Sequence, residues 1–356
     1  MTRAALILIL LLGVTLPASA ADRPEGEAYD EAVEQGLKYL ANAQSPEGAW
    51  TSRAGRDPAV TALCVMAFLS SGHVPGEGKY GRHVENGIRY VMSQQQKNGL
   101  IAGAYVGQLE MYQHGICTLM MAEAIGMITD RVRAKELRTR LEMAVRVILK
   151  AQVGQGEDRG GWRYTMQSAD SDISVTGWQL MALRAARNVG CDIPGEPIDL
   201  AITYIKNCYD ATSGGYRYQR GLAVTVPCTG TSILALELTG KDHHRSTEAL
   251  KAGSYLLKTP LNPRQQHFFY GIYYTAQAMF QLGDNYWTVY RKNLHDLLLR
   301  NLPPKAAGCW IGWGWDDAHF GPNYCTSMAI LALTVEYRFL PIYQRNEEPI
   351  EMPKKP

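Results

Sequence analysis

Residues 57–72, DPAVTALCVMAFLSSG, decide the fold. An aspartate and a proline open the stretch, an uncharged run follows, and a glycine closes it. From Val60 to Leu69 the run is apolar on nearly all sides, which suits a helix covered by neighbours rather than one lying on a surface. Pro58 fits a first helical turn, whose amides have no intrahelical partner, and Gly72 fits the left-handed position after a helix end. Similar stretches close at Gly126, Gly190, Gly240 and Gly283, about one every fifty residues.

Working outward from these stretches gives two columns. Thr61, Gly115, Thr176, Thr229 and Ile272 align on the closing glycines, and the pattern around Leu331-Ala332 adds Thr326. Upstream, Tyr39, Tyr90, Val147, Tyr204 and Tyr255 recur with similar spacing. Two columns mean two elements per repeat. The upstream element spaces its apolar residues helically with charges between them, as in Leu37, Leu40, Ala41 and in Val145, Ile148, Leu149, and so predicts an amphipathic outer helix. The downstream element predicts an inner helix, as at Ile116 to Ile128 and Ser232 to Leu238. Prolines at Pro58, Pro227 and Pro322 mark inner-helix starts. The chain is therefore expected to be all-α, with six helix pairs. A pair cannot bury its apolar face alone, so the pairs must stack or close on one another.

The bulk numbers bound the rest. Arg3, an apolar run from Ala4 to Leu16 and the small residues Ala18-Ser19-Ala20 predict a secretory signal peptide over residues 1–20, cleaved near Ala20. The run is shorter than the roughly 20 residues a spanning helix needs. The mature chain is thus expected to be secreted or periplasmic, with no transmembrane helix. One domain is expected over 29–343, with a flexible tail at 344–356. With 36 Lys+Arg against 34 Asp+Glu the chain is near neutral and has no basic run, which excludes nucleic acid as a partner. Seven cysteines, an odd number, permit disulfides in an exported chain, with Cys309–Cys325 across the last loop and Cys191–Cys208 as candidate pairs and the pattern left open. Cys64, Cys117, Cys228 and Cys325 also fall in or at the start of inner helices, where a buried thiol is ordinary.

Between the first outer and inner helices lies Gln44-Ser45-Pro46-Glu47-Gly48-Ala49-Trp50, preceded by Gly36-Leu37-Lys38-Tyr39-Leu40. It resembles the Gln-x-x-x-Gly-x-Trp (QW) repeat of squalene and hopene cyclases. Gln152 with Gly160-Gly161-Trp162 is a looser copy, and Gly214-Gly215-Tyr216 and Gly308-Cys309-Trp310 stand at the corresponding places. The glutamine can bond the next turn's backbone while the tryptophan covers the joint between repeats. The resemblance covers essentially the whole mature chain. It implies the α/α toroid of terpene cyclases and protein prenyltransferases, an (α/α)6 ring of inner helices around a central cavity; it says much less about activity.

In such a ring the residues just before the inner helices converge on one rim. The expected rim holds Asp57, Tyr112, His114, Asp170, Asp172, Pro227, His267, Tyr270, Asn323 and Tyr324, with Trp313, Trp315, Asp316, Asp317 and His319 on the last loop. Asp170-Ser171-Asp172 resembles part of the DxDD segment of hopene cyclases, whose middle aspartate protonates an alkene; the match makes Asp172 the acid and Asp170 its orienting neighbour. Ile173 stands where the third aspartate belongs. The alternative is that either aspartate caps the helix beginning near Ser174. The Asp-x-Cys zinc signature of the prenyltransferases is missing, so neither metal nor cofactor is expected. Trp310, Trp313, Trp315, Phe320 and Tyr324 beside Asp316, Asp317 and His319 suit a sugar subsite or an isoprenoid channel, or else seal the last repeat against the first.

Three functions stay open. The first is an exported protein that binds or converts an apolar isoprenoid-like molecule in the cavity, as a cyclase-like isomerase. The second is a non-catalytic envelope scaffold for a protein or polysaccharide. The third is a carbohydrate-active enzyme using Asp316, Asp317 or Asp172 as paired carboxylates.

Overall fold

The computed structural model describes residues 27–103, 109–239, 243–301 and 306–343. Among these residues there are twelve helices, alternating outer and inner along the chain. The outer helices are α1 (Glu27–Ala43), α3 (Gly81–Ser93), α5 (Arg131–Ala151), α7 (Gly195–Asn207), α9 (Thr247–Lys258) and α11 (Asp284–His295). The inner helices are α2 (Pro58–Ser70), α4 (Glu110–Ile125), α6 (Ile173–Asn188), α8 (Val226–Leu238), α10 (Phe268–Leu282) and α12 (Trp315–Leu333). A two-residue hairpin of β1 (Thr51–Ser52) and β2 (Gly55–Arg56) precedes α2. Each inner helix packs on the next, and α12 packs on α2, so the ring closes. The protein is an (α/α)6 toroid. The expected signal segment and tail lie outside the described residues, and no described helix is long and apolar enough to cross a membrane.

The sequence pattern explains the layers. Every residue of α2 is buried, as a helix apolar all round demands. By contrast α3 buries only Gly81, Val84, Gly87, Ile88 and Val91, one stripe of an otherwise charged helix. Asp57 caps α2 through Ala59 N and Val60 N, with Pro58 in the first turn. Gly72, Gly190 and Gly283 have positive φ after α2, α6 and α10, as expected of closing glycines, but Gly126 is right-handed (φ −64°) and Gly240 lies outside the described residues.

The loops entering the inner helices repeat one set of bonds. Gln44 Nε2 donates to Gly48 O in its own loop and to His83 O on the next outer helix. Gln152 does the same to Gly160 O and Pro197 O, and so does Gln95, a copy the sequence reading passed over, to Gly99 O and Arg140 O. The indoles of Trp50, Trp162 and Trp310 donate back to Leu40, Ile148 and Leu298. The amides of Trp50, Trp162, Tyr216 and Trp310 donate to Thr61, Thr176, Thr229 and Thr326. In the second repeat the acceptor is His114 Nδ1, which takes the Ile101 amide at 3.1 Å, so this column holds His114 and not Gly115.

The expected central cavity is filled. Trp178 of α6 crosses the axis to α10, where it stacks on Tyr273 at 5.2 Å and meets Tyr274 edge-on at 5.1 Å. All three side chains are at most 1% exposed, so no open space borders them. At the far end, Pro341 packs on Gly126 and Ile342 N donates to the buried Glu123, so the C-terminal segment closes that mouth. Neither candidate disulfide pair is joined. Cys191 and Cys208 remain thiols, and Cys325 Sγ points to Asp317 O at 3.6 Å instead of bridging Cys309.

Candidate functional site

With the lumen packed, the rim where the inner helices begin is where the polar and aromatic side chains expected of a site gather. Two clusters occupy it, and Tyr270 stands between them.

The first surrounds Asp172, which caps α6 through Val175 N at 2.9 Å. Ser174 Oγ donates to the same carboxylate oxygen, Oδ1, at 2.6 Å, and Tyr112 OH donates in turn to Ser174 Oγ. Oδ2 lies 3.9 Å from Arg163 Nε, and Tyr218 faces it as part of a pair with Tyr164 (OH to OH 2.5 Å). Tyr270 OH donates to Ser174 O at 3.3 Å. Asp170 is held by Arg163, which reaches Asp172 from the other side, so the two aspartates communicate through a guanidinium. Burial raises the Asp172 carboxyl, opposed by the Ser174, Val175 and Arg163 contacts. Capping is therefore a role Asp172 performs, and its side chain is wholly covered.

The second cluster sits where α12 begins. His267 precedes α10 in a left-handed conformation (φ 60°, ψ 34°). Its backbone amide donates to Asp316 Oδ1 at 3.0 Å, and its Nδ1 lies 3.0 Å from Asp316 Oδ2. That doubly anchored imidazole is raised above its ordinary pKa by the hydrogen bond to Asp316. Burial acts to raise Asp316, but the bond and charge of His267 outweigh it and hold the carboxyl below its usual range. Asp317 differs: burial and the neighbouring Asp316 push it up to about 7. It lies under the loop, and a Cβ at Gly312 would run into it, so that loop position requires glycine.

The last loop's aromatics divide into two groups. Trp310 is fully buried, against Gly36 of α1, and seals the ring as expected. Trp313 and Trp315 seal nothing: they are 57% and 68% exposed. Trp315 stacks on His319 at 4.8 Å, and Phe320 bridges His319 to Tyr324. Gly321 (φ 81°) breaks α12, so that Pro322 starts its buried part. Asn323 is turned away, its amide donating to Thr51 O across the closure.

Of the expected rim residues, His114 is placed in the core. It is fully buried, with Nδ1 accepting from Ile101 and Nε2 donating to Ala144 O, and burial lowers it to about 4. Arg163, Tyr164, Ser174 and Tyr218 were missed by the sequence reading. A signal existed, since Gly160-Gly161-Trp162-Arg163-Tyr164 and Gly214-Gly215-Tyr216-Arg217-Tyr218 are copies that place a tyrosine two residues after the indole position. Among the described residues no group of histidines, cysteines and carboxylates is arranged to hold a metal. A separate cavity of about 380 Å³ opens on the outer surface between α3 and α5, but its Glu85 is already paired with Arg89 and Arg133 at 3.1 Å.

No protein-family model matches the chain, and no curated protein is significantly similar to it. Solved structures do resemble it. An inactive variant of the alpha-1,6-mannanase of Salegentibacter sp. HEL1_6, with two adjacent aspartates replaced and alpha-1,6-mannotriose bound, superposes with a TM-score of 0.65 at 12% identity, covering 87% of this chain and 99% of that one. A D-mannose isomerase gives 0.61 at 13%, covering 90% and 99%. The type II terpene cyclase of Scytonema gives 0.55 at 15%, covering 89% and 100%. All are similar in fold. At such identities the likeness establishes the toroid and leaves activity to the site.

Proposed function

We propose that the protein is an exported carbohydrate-binding or carbohydrate-converting toroid whose site is the rim around Trp313, Trp315, His267 and Asp316. The observation that carries this reading is the pairing of two solvent-facing indoles with a polar, carboxylate-backed edge above a lumen that aromatic side chains already fill. A saccharide presents apolar C–H faces that stack on indoles and hydroxyls that bond an imidazole held by a carboxylate behind it, and it needs only a shallow platform. The mannanase and the mannose isomerase among the structural neighbours are consistent with this reading.

Titration with alpha-1,6-mannotriose and other manno-oligosaccharides, followed by tryptophan fluorescence and calorimetry, tests it. Binding that weakens at least about tenfold in Trp313→Ala, a loss of about 1.4 kcal/mol, supports the platform. A wild-type protein that binds no saccharide overturns it. Export is tested by fractionation and by N-terminal sequencing, which should begin at Ala21.

A squalene-cyclase-like activity is the second reading. It is favoured by the tyrosines around Asp172, whose rings can stabilise a cation, and by the Gln-Gly-Trp bonding in the loops. It requires the packed aromatics at the axis to part and Asp172 to release its cap. Incubating wild type and Asp172→Asn with linear isoprenoids decides it: a cyclised product that disappears in the variant establishes the cyclase.

A further inference from the structure

Among the acid–base groups beside the exposed indoles, the two carboxylates are buried, Asp316 at 4% and Asp317 at 1% exposure. Neither can reach a ligand on the rim, so hydrolysis by two facing carboxylates lacks both partners there. The imidazole is different. Half of the His267 side chain is exposed, and because Nδ1 is engaged by Asp316, it is the Nε2 edge that opens to solvent. A non-glycine residue with φ near +60° carries backbone strain, and here the Asp316 carboxylate holds both the amide and the ring in place. The held conformation presents a half-exposed imidazole with a fixed ring orientation. A single oriented base suits a reaction that moves one proton between two adjacent carbons, which needs neither a second catalytic carboxylate nor a co-reactant.

The geometry points to His267 as the catalytic residue of an aldose–ketose isomerisation, with Asp316 as its positioning residue; this rests on the saccharide reading above. In the step, Nε2 removes the proton from C2 of an open-chain aldose, and that C–H electron pair becomes the C1–C2 double bond. The carbonyl π pair moves to O1, which takes up the O2 proton through solvent as the sugar passes through the enediol. Return of the proton from Nε2 to C1 leaves the C2 ketone. Asp316 and Asp317, both on α12, are the charged groups facing the imidazole. Asp316 fixes Nδ1 as the protonated nitrogen, so Nε2 is the free base.

The test is hydrogen–deuterium exchange at C2 of D-mannose and D-glucose in D2O, followed by proton NMR, with binding measured in parallel by tryptophan fluorescence. Wild type should exchange at least one of the two sugars. His267→Asn, which tolerates the left-handed backbone, should lose the exchange by at least about a hundredfold, far more than any weakening of binding measured in parallel. Asp316→Asn should slow the exchange and move the acid limb of its pH profile downward, since the imidazole loses the carboxylate that raises it; a merely structural role would leave that limb in place. Binding without exchange in wild type, or exchange that survives in His267→Asn, overturns the assignment. Absence of binding by either sugar and by the manno-oligosaccharides overturns the saccharide reading itself, and the isomerisation with it.

Discussion

Replacing Thr176 by valine measures what the loop bonds contribute to the ring. Valine keeps the shape and both branches at Cβ but removes the hydroxyl. That hydroxyl accepts the Trp162 amide at 3.0 Å, and both residues are fully buried. The loss leaves a buried N–H without its acceptor, which costs about 1–3 kcal/mol. Thr231→Val supplies the internal control. Thr231 is also buried in an inner helix, but its hydroxyl donates back to Pro227 O at 2.9 Å, one turn earlier, and faces the Tyr270 hydroxyl, so it ties no loop amide to the helix. Back-bonding of this kind slightly disfavours a helix, so that change is expected within about 0.5 kcal/mol of neutral. Urea denaturation of the two variants beside wild type reads the difference as a shift in midpoint at constant slope. Equal midpoints for Thr176→Val and Thr231→Val would refute the view that the threonine column ties each loop to its inner helix.

Other outcomes follow from the same structure. Gly160→Ala should destabilise by about 2–4 kcal/mol in the same denaturation assay, because φ there is +98° and a Cβ would meet the Leu200 carbonyl. His114, lowered to about 4 by burial, binds its proton more weakly folded than unfolded, so stability falls as pH drops from about 6.5 toward 4; His114→Asn should flatten that part of a Tm-versus-pH curve. Glu123 has the opposite sign. Burial raises it to about 8, so the folded state holds a proton that the unfolded chain has already lost, and stability declines as pH rises from about 4.5 to 8. Glu123→Gln, whose amide oxygen can still accept from Ile342 N, should melt higher than wild type at pH 9.

The rim was legible where a repeat imposed it and illegible where two repeats met. The threonine column, the Gln-Gly-Trp loops and the buried Trp310 were readable because one local geometry is reused and each copy needs the same residue types. His114 escaped because an imidazole does a threonine's work there, so glycine-based alignment slipped by one residue. Asp172 was readable as a cap from its place before a helix. Its neighbours Tyr112, Ser174 and Tyr270 come from three different inner helices, and no local pattern pairs them.

The sequence by itself determined that the chain is all-α, that outer and inner helices alternate, and that six pairs must stack or close on one another; the ring was what the Gln-Gly-Trp resemblance implied, and the packing of α12 on α2 closes it. Helical periodicity and helix-end chemistry are local, and an inner helix apolar on every face can be buried only by neighbours on every side. Tertiary structure alone decided that the ring is filled and not hollow, because that depends on Trp178 reaching Tyr273 and Tyr274 across the axis. It likewise set Trp310 apart from Trp313 and Trp315. In sequence the three indoles share one loop, but the packing of α1 covers the first, while Trp313 and Trp315 stay exposed and Gly312 and Gly314 leave room for the buried Asp317, which a Cβ at either position would meet.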